Sequence, residues 1–331
     1  MFELRNRLAH AKEATCPGSY SDDEQTKAGR DAERELVNCL REQGIPSNHI
    51  FCGLRVPDAF QTRKYEIDVV ILTEVGVYTI EVKNWVGEVV PSNDGKMWIQ
   101  RKQDMRNDKA QVTYEVNHDS ALESLRLKTQ LLRSHLLKNE ACLPQKFFHP
   151  RVVFANHLTK LDNSLAASKE IVSPEDYLKF VESFRWGVAS KLFNSFVPGL
   201  LTGQLSYSAI EVTRQVLNKI GTWDVLHLNG GRQLMGDFKG CAHFTPNREE
   251  TSIVSFAHQR NATWGTLWAV IGYTPSVFVK LYQRGGESWL GHSTNGSVNI
   301  PYNAEITFRV AGEQADAKIP ANDIENMVLS I

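Results

Sequence analysis

The sequence predicts an α+β chain whose first half runs helix, strands, helix, strand, followed by a helical connector and an all-β C-terminal third. Three observations predict it. Ile67-Asp68-Val69-Val70-Ile71-Leu72 and Val77-Tyr78-Thr79-Ile80-Glu81-Val82-Lys83 are rich in β-branched and aromatic residues and are split by Thr73-Glu74-Val75-Gly76, the pattern of an antiparallel strand pair. Apolar stripes at helical spacing flank the pair, with Ala32, Leu36, Val37 and Leu40 before it and Ala121, Leu122, Leu125, Leu132 and Leu136 after it. Beyond Thr222 short strands follow closely, punctuated by Gly and Asn, which is the texture of a β-sandwich or barrel.

Residues 1–26 are polar, contain Pro17-Gly18-Ser19 and Ser21-Asp22-Asp23-Glu24, and read as an arm or short helix. A helix from Lys27 is stopped by Gly44 and Pro46. Glu33 precedes Leu36, Val37 and Leu40 by three, four and seven positions, so its carboxylate lies on the buried stripe. A short strand over Ile50–Leu54, a loop over Pro57–Lys64 and the hairpin come next. A strand at Gly87–Val90 then turns through Pro91-Ser92-Asn93-Asp94-Gly95 into Met97-Trp98-Ile99-Gln100. The second helix is expected over Val116–Leu137 and a buried strand over Arg151–Ala155. Ser173–Ile220 reads as helical, with Ser173-Pro174-Glu175-Asp176 capping its start and Pro198-Gly199 interrupting it.

In the final third, strands are expected at Trp223–Leu228, Gln233–Phe238, Ser252–Ala257, Leu267–Ile271, Val277–Tyr282, Glu305–Val310 and Asn326–Ile331. His258, His292, Trp264, Trp268 and Trp289 within it read as core packing. The expected domains are an arm over 1–26, a first domain over 27–165, a connector over 166–222 and a β-domain over 223–331.

Charges in the middle of strong strands need a reason. With a four-residue loop and Gly76 left-handed, Leu72 faces Val77, Val70 faces Thr79, Asp68 faces Glu81 and Glu66 faces Lys83. Directly opposed side chains have Cβ atoms roughly 4.5–5.5 Å apart, where like charges repel unless a cation or a basic side chain sits between them. The other face, Ile67, Val69 and Ile71 against Tyr78, Ile80 and Val82, is apolar, which gives the hairpin a packed side and a chemical side.

Asp68, Glu81 and the Val82 backbone carbonyl supply hard oxygen ligands suited to Mg²⁺ or Mn²⁺, with Glu33 a further candidate ligand. Such a metal lowers the pKa of a bound water and neutralises a phosphoryl oxygen. Lys83 shares a face with Glu81 and is suited to touch the attacking water or the developing charge, while Glu33 orients Lys83 or completes a second metal position. Pairing of Asp68 and Glu81 with nearby lysines or arginines is the structural alternative.

The 331 residues are 42% hydrophobic and 23% charged, enough for two domains with real cores. Lys plus Arg number 37 against 38 Asp plus Glu, so net charge makes no case for a polyanionic partner. Between Lys96 and Arg151, however, eleven basic residues face six acidic ones, whereas from Thr222 onward eight face ten, so an anion-binding surface belongs to the first half. Five scattered cysteines with no zinc spacing read as free thiols in a reducing compartment. The start lacks an apolar signal segment, and no run of about 18 apolar residues exists for a membrane span, which makes a cytoplasmic protein without a membrane partner the expectation.

Gly29-Arg30-Asp31-Ala32-Glu33, Glu66-Ile67-Asp68-Val69-Val70 and Ile80-Glu81-Val82-Lys83-Asn84-Trp85-Val86-Gly87, followed by Trp98, resemble the nuclease-related domain (NERD), a branch of the PD-(D/E)xK nuclease superfamily. The similarity covers residues 27 to 160. It implies an αβββαβ core with Glu33, Asp68, Glu81 and Lys83 on the family's active-site positions, all four present. The family's Asn-Pro…Gln motif before the second helix has only approximate matches, at Asn107-Asp108-Lys109-Ala110-Gln111 or Asn117-His118. The resulting expectation is a metal-dependent nuclease acting on DNA, with a β-domain that regulates, recognises substrate or joins a protein partner or second copy. The alternative is a nucleic-acid-binding or scaffold protein with little turnover.

Overall fold

A computed structural model of the protein describes residues 2–58, 63–104, 112–185, 204–258, 275–288 and 291–331. The chain divides into two units, one of Glu24–Thr222 and one of Met1–Asp23 with Trp223–Ile331. Helix α1 (Phe2–Ala14) lies in the segment expected as an arm or short helix and goes with the C-terminal strands. Residues 166–222, expected as a connector, go with the first unit.

The first unit comprises α2 (Glu24–Glu42), β1 (Ile50–Pro57), β2 (Lys64–Thr73), β3 (Gly76–Lys83), β4 (Gly87–Pro91), β5 (Met97–Asp104), β6 (Val112–Asp119), α3 (Ala121–Lys138), β7 (Phe148–Phe154), β8 (Thr159–Leu161), α4 (Asn163–Ala166), β9 (Ile171–Val172), α5 (Tyr177–Glu182) and α6 (Tyr207–Leu217). Its main sheet has the order β1-β2-β3-β7-β9, antiparallel through β3 and parallel from there. A parallel β3–β7 pair needs a crossover, and α3 supplies it and covers that face of the sheet.

Both faces are consequently packed. Ala32, Leu36, Val37 and Leu40 of α2 lie against Val69, Ile71, Ile80 and Val82, while Leu125, Leu132 and Leu136 of α3 lie against Val70, Leu72 and Val77. The face expected to be chemical is apolar along most of the hairpin, and its charges gather at the end of the β2–β3 pair away from the turn.

A second sheet, β6-β5-β4-β8, is built on the same unit. The helix expected from Val116 starts instead at Ala121, because Tyr114, Val116 and His118 pair with Lys102, Gln100 and Trp98 of β5 in a long hairpin. Ser120 caps α3 by accepting the Glu123 N–H at 3.4 Å. The expected cap Ser173-Pro174-Glu175-Asp176 forms a turn before α5, with Ser173 Oγ accepting the Asp176 N–H at 3.3 Å, and Pro198-Gly199 lies outside the described residues.

The second unit carries β10 (Asp224–Leu228), β11 (Gln233–Cys241), β12 (Thr251–His258), β13 (Ser276–Ser288), β14 (Gly291–Pro301), β15 (Glu305–Val310), β16 (Ala317–Pro320) and β17 (Ile324–Val328). They form one antiparallel sheet, β14-β13-β12-β17-β10-β11-β15-β16, instead of the two facing sheets of a sandwich. Ile300, Val279, Phe256, Met327, Leu226, Phe238, Phe308 and Ile319, one from each strand in that order, share a single core with Ala14 of α1.

The N-terminal segment is tied in by Tyr20 N–H to the Asn229 carbonyl (2.9 Å), Gly18 N–H to Asp323 (2.8 Å) and Tyr302 Oη to Glu13 (2.7 Å). His258 Nε2 pairs with the Ile324 carbonyl at 2.6 Å, a structural use. Trp264, Trp268, Trp289 and the strand expected at Leu267–Ile271 lie outside the described residues, as does the side chain of His292.

The hairpin turn fixes where the charged end falls. Thr73 pairs with Gly76, so the loop is the two residues Glu74 and Val75, not four. Thr73 Oγ1 donates to the Gly76 carbonyl (3.0 Å) and accepts the Val75 N–H (3.2 Å). Gly76 has φ 140°, and a Cβ there would overlap the carbonyl of Phe147, the residue before β7. Gly76→Ala should therefore lower the unfolding free energy by about 2–4 kcal/mol. Urea denaturation of the full chain, with the transition of the first unit followed separately, reads this cost.

Candidate active site

Asp68 stands where β2 and β3 part. The ladder of the pair runs from Thr73–Gly76 to Val69–Ile80, and Glu66 is paired with Arg55 of β1. The expected opposition of Glu66 to Lys83 is thus replaced by pairing on the other side of β2. Asp68 is likewise not a ladder partner of Glu81. Its Oδ2 accepts the Val82 N–H at 2.8 Å, and a carboxylate thereby takes the place of a β2 carbonyl in satisfying a β3 amide. In an extended strand the N–H and C=O of one residue point to the same side, so the Val82 carbonyl is directed toward the side of Asp68.

Glu81 is 9% exposed and is held by two ammonium groups, Lys83 Nζ at 2.8 Å from Oε1 and Lys128 Nζ at 2.7 Å from Oε2. Burial opposes its ionisation, but the two lysines outweigh burial and hold its carboxyl below the usual glutamate range. Lys83 shows the reciprocal effect, with burial opposed by Glu81, Asp68 and Glu33 and its pKa raised.

Asp68 is pushed well above the usual range by burial first, then by Glu81 and Glu33, against the pull of the Val82 N–H and Lys83. Glu33, half-buried on α2, is pushed up to about 7 by burial, then by Glu66 and Glu81. The four residues singled out in the sequence therefore share one electrostatic environment, supplied by α2, β2 and β3.

Local sequence explains how these elements are held. Thr79, two residues before Glu81 on β3, is fully buried and shares a 2.6 Å hydrogen bond with Thr129 of α3, whose hydroxyl also lies 2.7 Å from the Leu125 carbonyl. Asn84, directly after Lys83, donates to the Ala28 carbonyl at the start of α2 (2.7 Å) and accepts from Asn156 (2.9 Å), joining the end of β3 to the helix that carries Glu33. Trp85 stacks on His118 with ring centroids 4.2 Å apart, and its carbonyl accepts from Thr159 at 2.6 Å. Gly87 has φ 94°, and a Cβ there would overlap the Arg101 carbonyl of β5. Asn84, Trp85 and Gly87 are thus the joint between the two sheets of the unit.

Lys128 is the residue that sequence reasoning missed. It follows Leu125 by three positions and precedes Leu132 by four, which puts its ammonium on the buried stripe of α3 by the same logic that singled out Glu33. Gln111 lies outside the described residues, and Asn117 and His118 fall on β6.

Among the described residues no group of three His, Cys, Asp or Glu side chains is arranged to hold a metal ion. The donor chemistry nevertheless fits a hard divalent cation. Asp68 and Glu33 are oxygen donors driven upward in pKa by burial and by neighbouring acids, a strain that a cation would relieve, and Glu81 is a third oxygen donor kept ionised by its lysines. The two positive charges of Lys83 and Lys128 at Glu81 match the charge of one such ion.

The family model of the nuclease-related domain matches residues 28–155. That segment is a nuclease-related domain. It spans α2 through β7 and ends beside Asn156, so it contains Glu33, Asp68, Glu81, Lys83 and Lys128. Comparison with curated proteins and with solved structures gives no match. Among the described residues no helix is long and apolar enough to cross a membrane.

Removing the central carboxylate of the nuclease-related domain leaves two half-buried ammonium groups without their partner. Glu81→Ala should therefore destabilise the first unit by about 3 kcal/mol. Glu81→Gln, which keeps an acceptor oxygen, should cost less. Urea unfolding of both variants in EDTA gives the comparison, and equal stability of Glu81→Ala and the parent would contradict the assigned contacts.

Proposed function

We propose that the protein is a metal-dependent nuclease that hydrolyses phosphodiester bonds in DNA, with Glu33, Asp68, Glu81 and Lys83 as its active-site residues. One observation carries this reading: within a nuclease-related domain, three acids and Lys83 are gathered at the parting of β2 and β3, with Asp68 and Glu33 strained toward protonation by burial and neighbouring acids. The elements α2, β1, β2 and β3, followed after the inserted β4–β6 by α3 and β7, support a PD-(D/E)xK-type core, because they give the helix, three strands, helix, strand succession expected of that superfamily.

Asp68, Glu81 and the Val82 carbonyl would hold Mg²⁺ or Mn²⁺, with Glu33 available to it from α2. When bound, such an ion supplies charge neutralisation at a phosphoryl oxygen and a water of lowered pKa. Lys83 contributes a donor at the end of β3, held by Glu81 Oε1, that can meet the developing negative charge of phosphodiester attack. Glu33, with its pKa raised to about 7, can hold or release a proton near neutral pH beside Lys83. Asp68 fixes the Val82 amide and so orients the adjoining ligand carbonyl.

A cytoplasmic setting is supported by five free thiols. The β-sheet of the second unit is proposed as a recognition or association module, for nucleic acid, a protein partner or a second copy of the chain. A binding protein with little turnover is the second reading, favoured by the engagement of both Glu81 oxygens with lysines.

Plasmid, linear duplex and single-stranded DNA incubated with the protein and Mg²⁺ or Mn²⁺ separate the two readings. The expected outcome is cleavage that disappears in EDTA and falls at least about a hundredfold in Lys83→Ala, the scale of a lost transition-state donor. Cleavage that persists in both controls would overturn the mechanism. Binding without cleavage, across all substrates and both metals, would establish the second reading.

A further inference from the structure

The second lysine at Glu81 is not needed to place α3 on β3. The hydroxyl bond between Thr79 and Thr129 already pins α3 to β3, one residue along the helix from Lys128. A buried ion pair rarely stabilises more than the apolar contacts it replaces, and Lys128 sits in a stripe where Leu125, Leu132 and Leu136 are wholly buried. One carboxylate, moreover, needs only one ammonium. Glu81 has Lys83 at Oε1, with a side chain 23% exposed, and Lys128 at Oε2, with a side chain 14% exposed. The second ammonium stands beside a cluster in which the Asp68 and Glu33 carboxyls crowd Glu81, and each is driven toward protonation by burial and by the neighbouring acids.

We propose that Lys128 is a positioning residue that acts as a displaceable counter-ion. Its ammonium occupies Glu81 Oε2 while the site holds no cation, keeps the acid cluster folded and ionisable, and gives up that oxygen when a divalent cation binds. This rests on the metal-dependent reading above and deepens it, because it assigns control of cation affinity to a residue of α3. Lys83 and Lys128 divide the work: the strand lysine stays with Oε1, and the helix lysine is the one exchanged. The exchange moves no covalent bond; one ammonium–carboxylate contact is traded for one cation–carboxylate contact, and Lys128 keeps its proton.

Calorimetric titration of MnCl₂ into the full chain, comparing the parent with Lys128→Met, tests the exchange. Loss of a like charge a few ångströms from the ion should tighten Mn²⁺ binding roughly tenfold. A purely structural ion pair would lower stability, and its ammonium would stay on Oε2 when a divalent cation binds. Mn²⁺ binding by the parent with equal or weaker binding by Lys128→Met overturns the counter-ion role and leaves the metal-dependent reading intact. A parent that binds no Mn²⁺ overturns both.

Should Lys128→Met fail to fold, the parent itself is the probe. With ¹⁵N-lysine labelling, and Lys128→Arg to assign its signal, Lys128 should show a protected ammonium resonance in EDTA that shifts or is lost on adding Mg²⁺. An unchanged Lys128 resonance at a Mg²⁺ concentration that perturbs Lys83 overturns the proposal.

Discussion

The first unit depends on burying the Glu81 carboxylate between β3 and α3. An isolated ionised carboxylate at that depth is too costly to keep, so its partners must be built into the fold around it. Lys83 comes from the same strand two residues on, and its supply is local. Lys128 comes from α3, forty-seven positions away in sequence, and can reach Glu81 only if α3 crosses the sheet in one rotation and one register. The Thr79–Thr129 bond sets that register, and the parallel β3–β7 pairing requires the crossover that α3 provides. Helix placement and site electrostatics are thus two consequences of one requirement.

The end of the β2–β3 pair shows how the site is kept from closing into ordinary sheet. Had the ladder continued past Val69 and Ile80, the Val82 amide would bond to a β2 carbonyl and the strands would stay together. Asp68 takes that amide with its side chain instead, and the strands part where the acids lie. Asn84 then carries β3 onto the start of α2, which brings Glu33 into the same field. Trp85 and Gly87, packed on His118 and against Arg101, turn the chain into the second sheet. The Glu-Val-Lys-Asn-Trp-Val-Gly run therefore combines a charge, its counter-charge and the joint that holds both, which is why the stretch is so informative as sequence.

Much of this was legible before the structure. The pairing of Leu72 with Val77 and Val70 with Thr79 followed from strand pattern, and the inward carboxylate of Glu33 from helix periodicity. What failed did so for physical reasons. The opposition of Asp68 to Glu81 assumed an unbroken ladder, and no propensity scale registers a side chain that replaces a main-chain acceptor. The start of α3 was placed too early because Val116, Asn117 and His118 carry no strong local preference, and their state is decided by pairing with β5. Lys128 was counted as surface charge although it shares the stripe of Leu125 and Leu132; the periodicity test applied to Glu33 finds it. In the second unit strand positions were largely visible, while the single eight-stranded sheet depends on long-range pairing and on a core shared with α1.

The second unit contains its own buried carboxylate, and the contrast separates a strut from a site. Asp224, 1% exposed, accepts two bonds from Arg248 (2.9 and 2.8 Å), one from the Phe238 N–H (2.7 Å) and one from the Ser330 N–H (2.8 Å). Those four donors occupy the acceptor positions a carboxylate offers, and they join β10, β11 and the C-terminal residues into one framework. Nothing is left over for a ligand. The acids of the first unit are arranged in the opposite way: Asp68 and Glu33 are raised in pKa by burial and by neighbouring acids, and Glu81 is matched by more positive charge than it needs. A group whose bonding is complete stabilises the fold, whereas raised acids beside surplus positive charge mark a candidate site. On that criterion Asp224 serves architecture, and the candidate site lies in the nuclease-related domain.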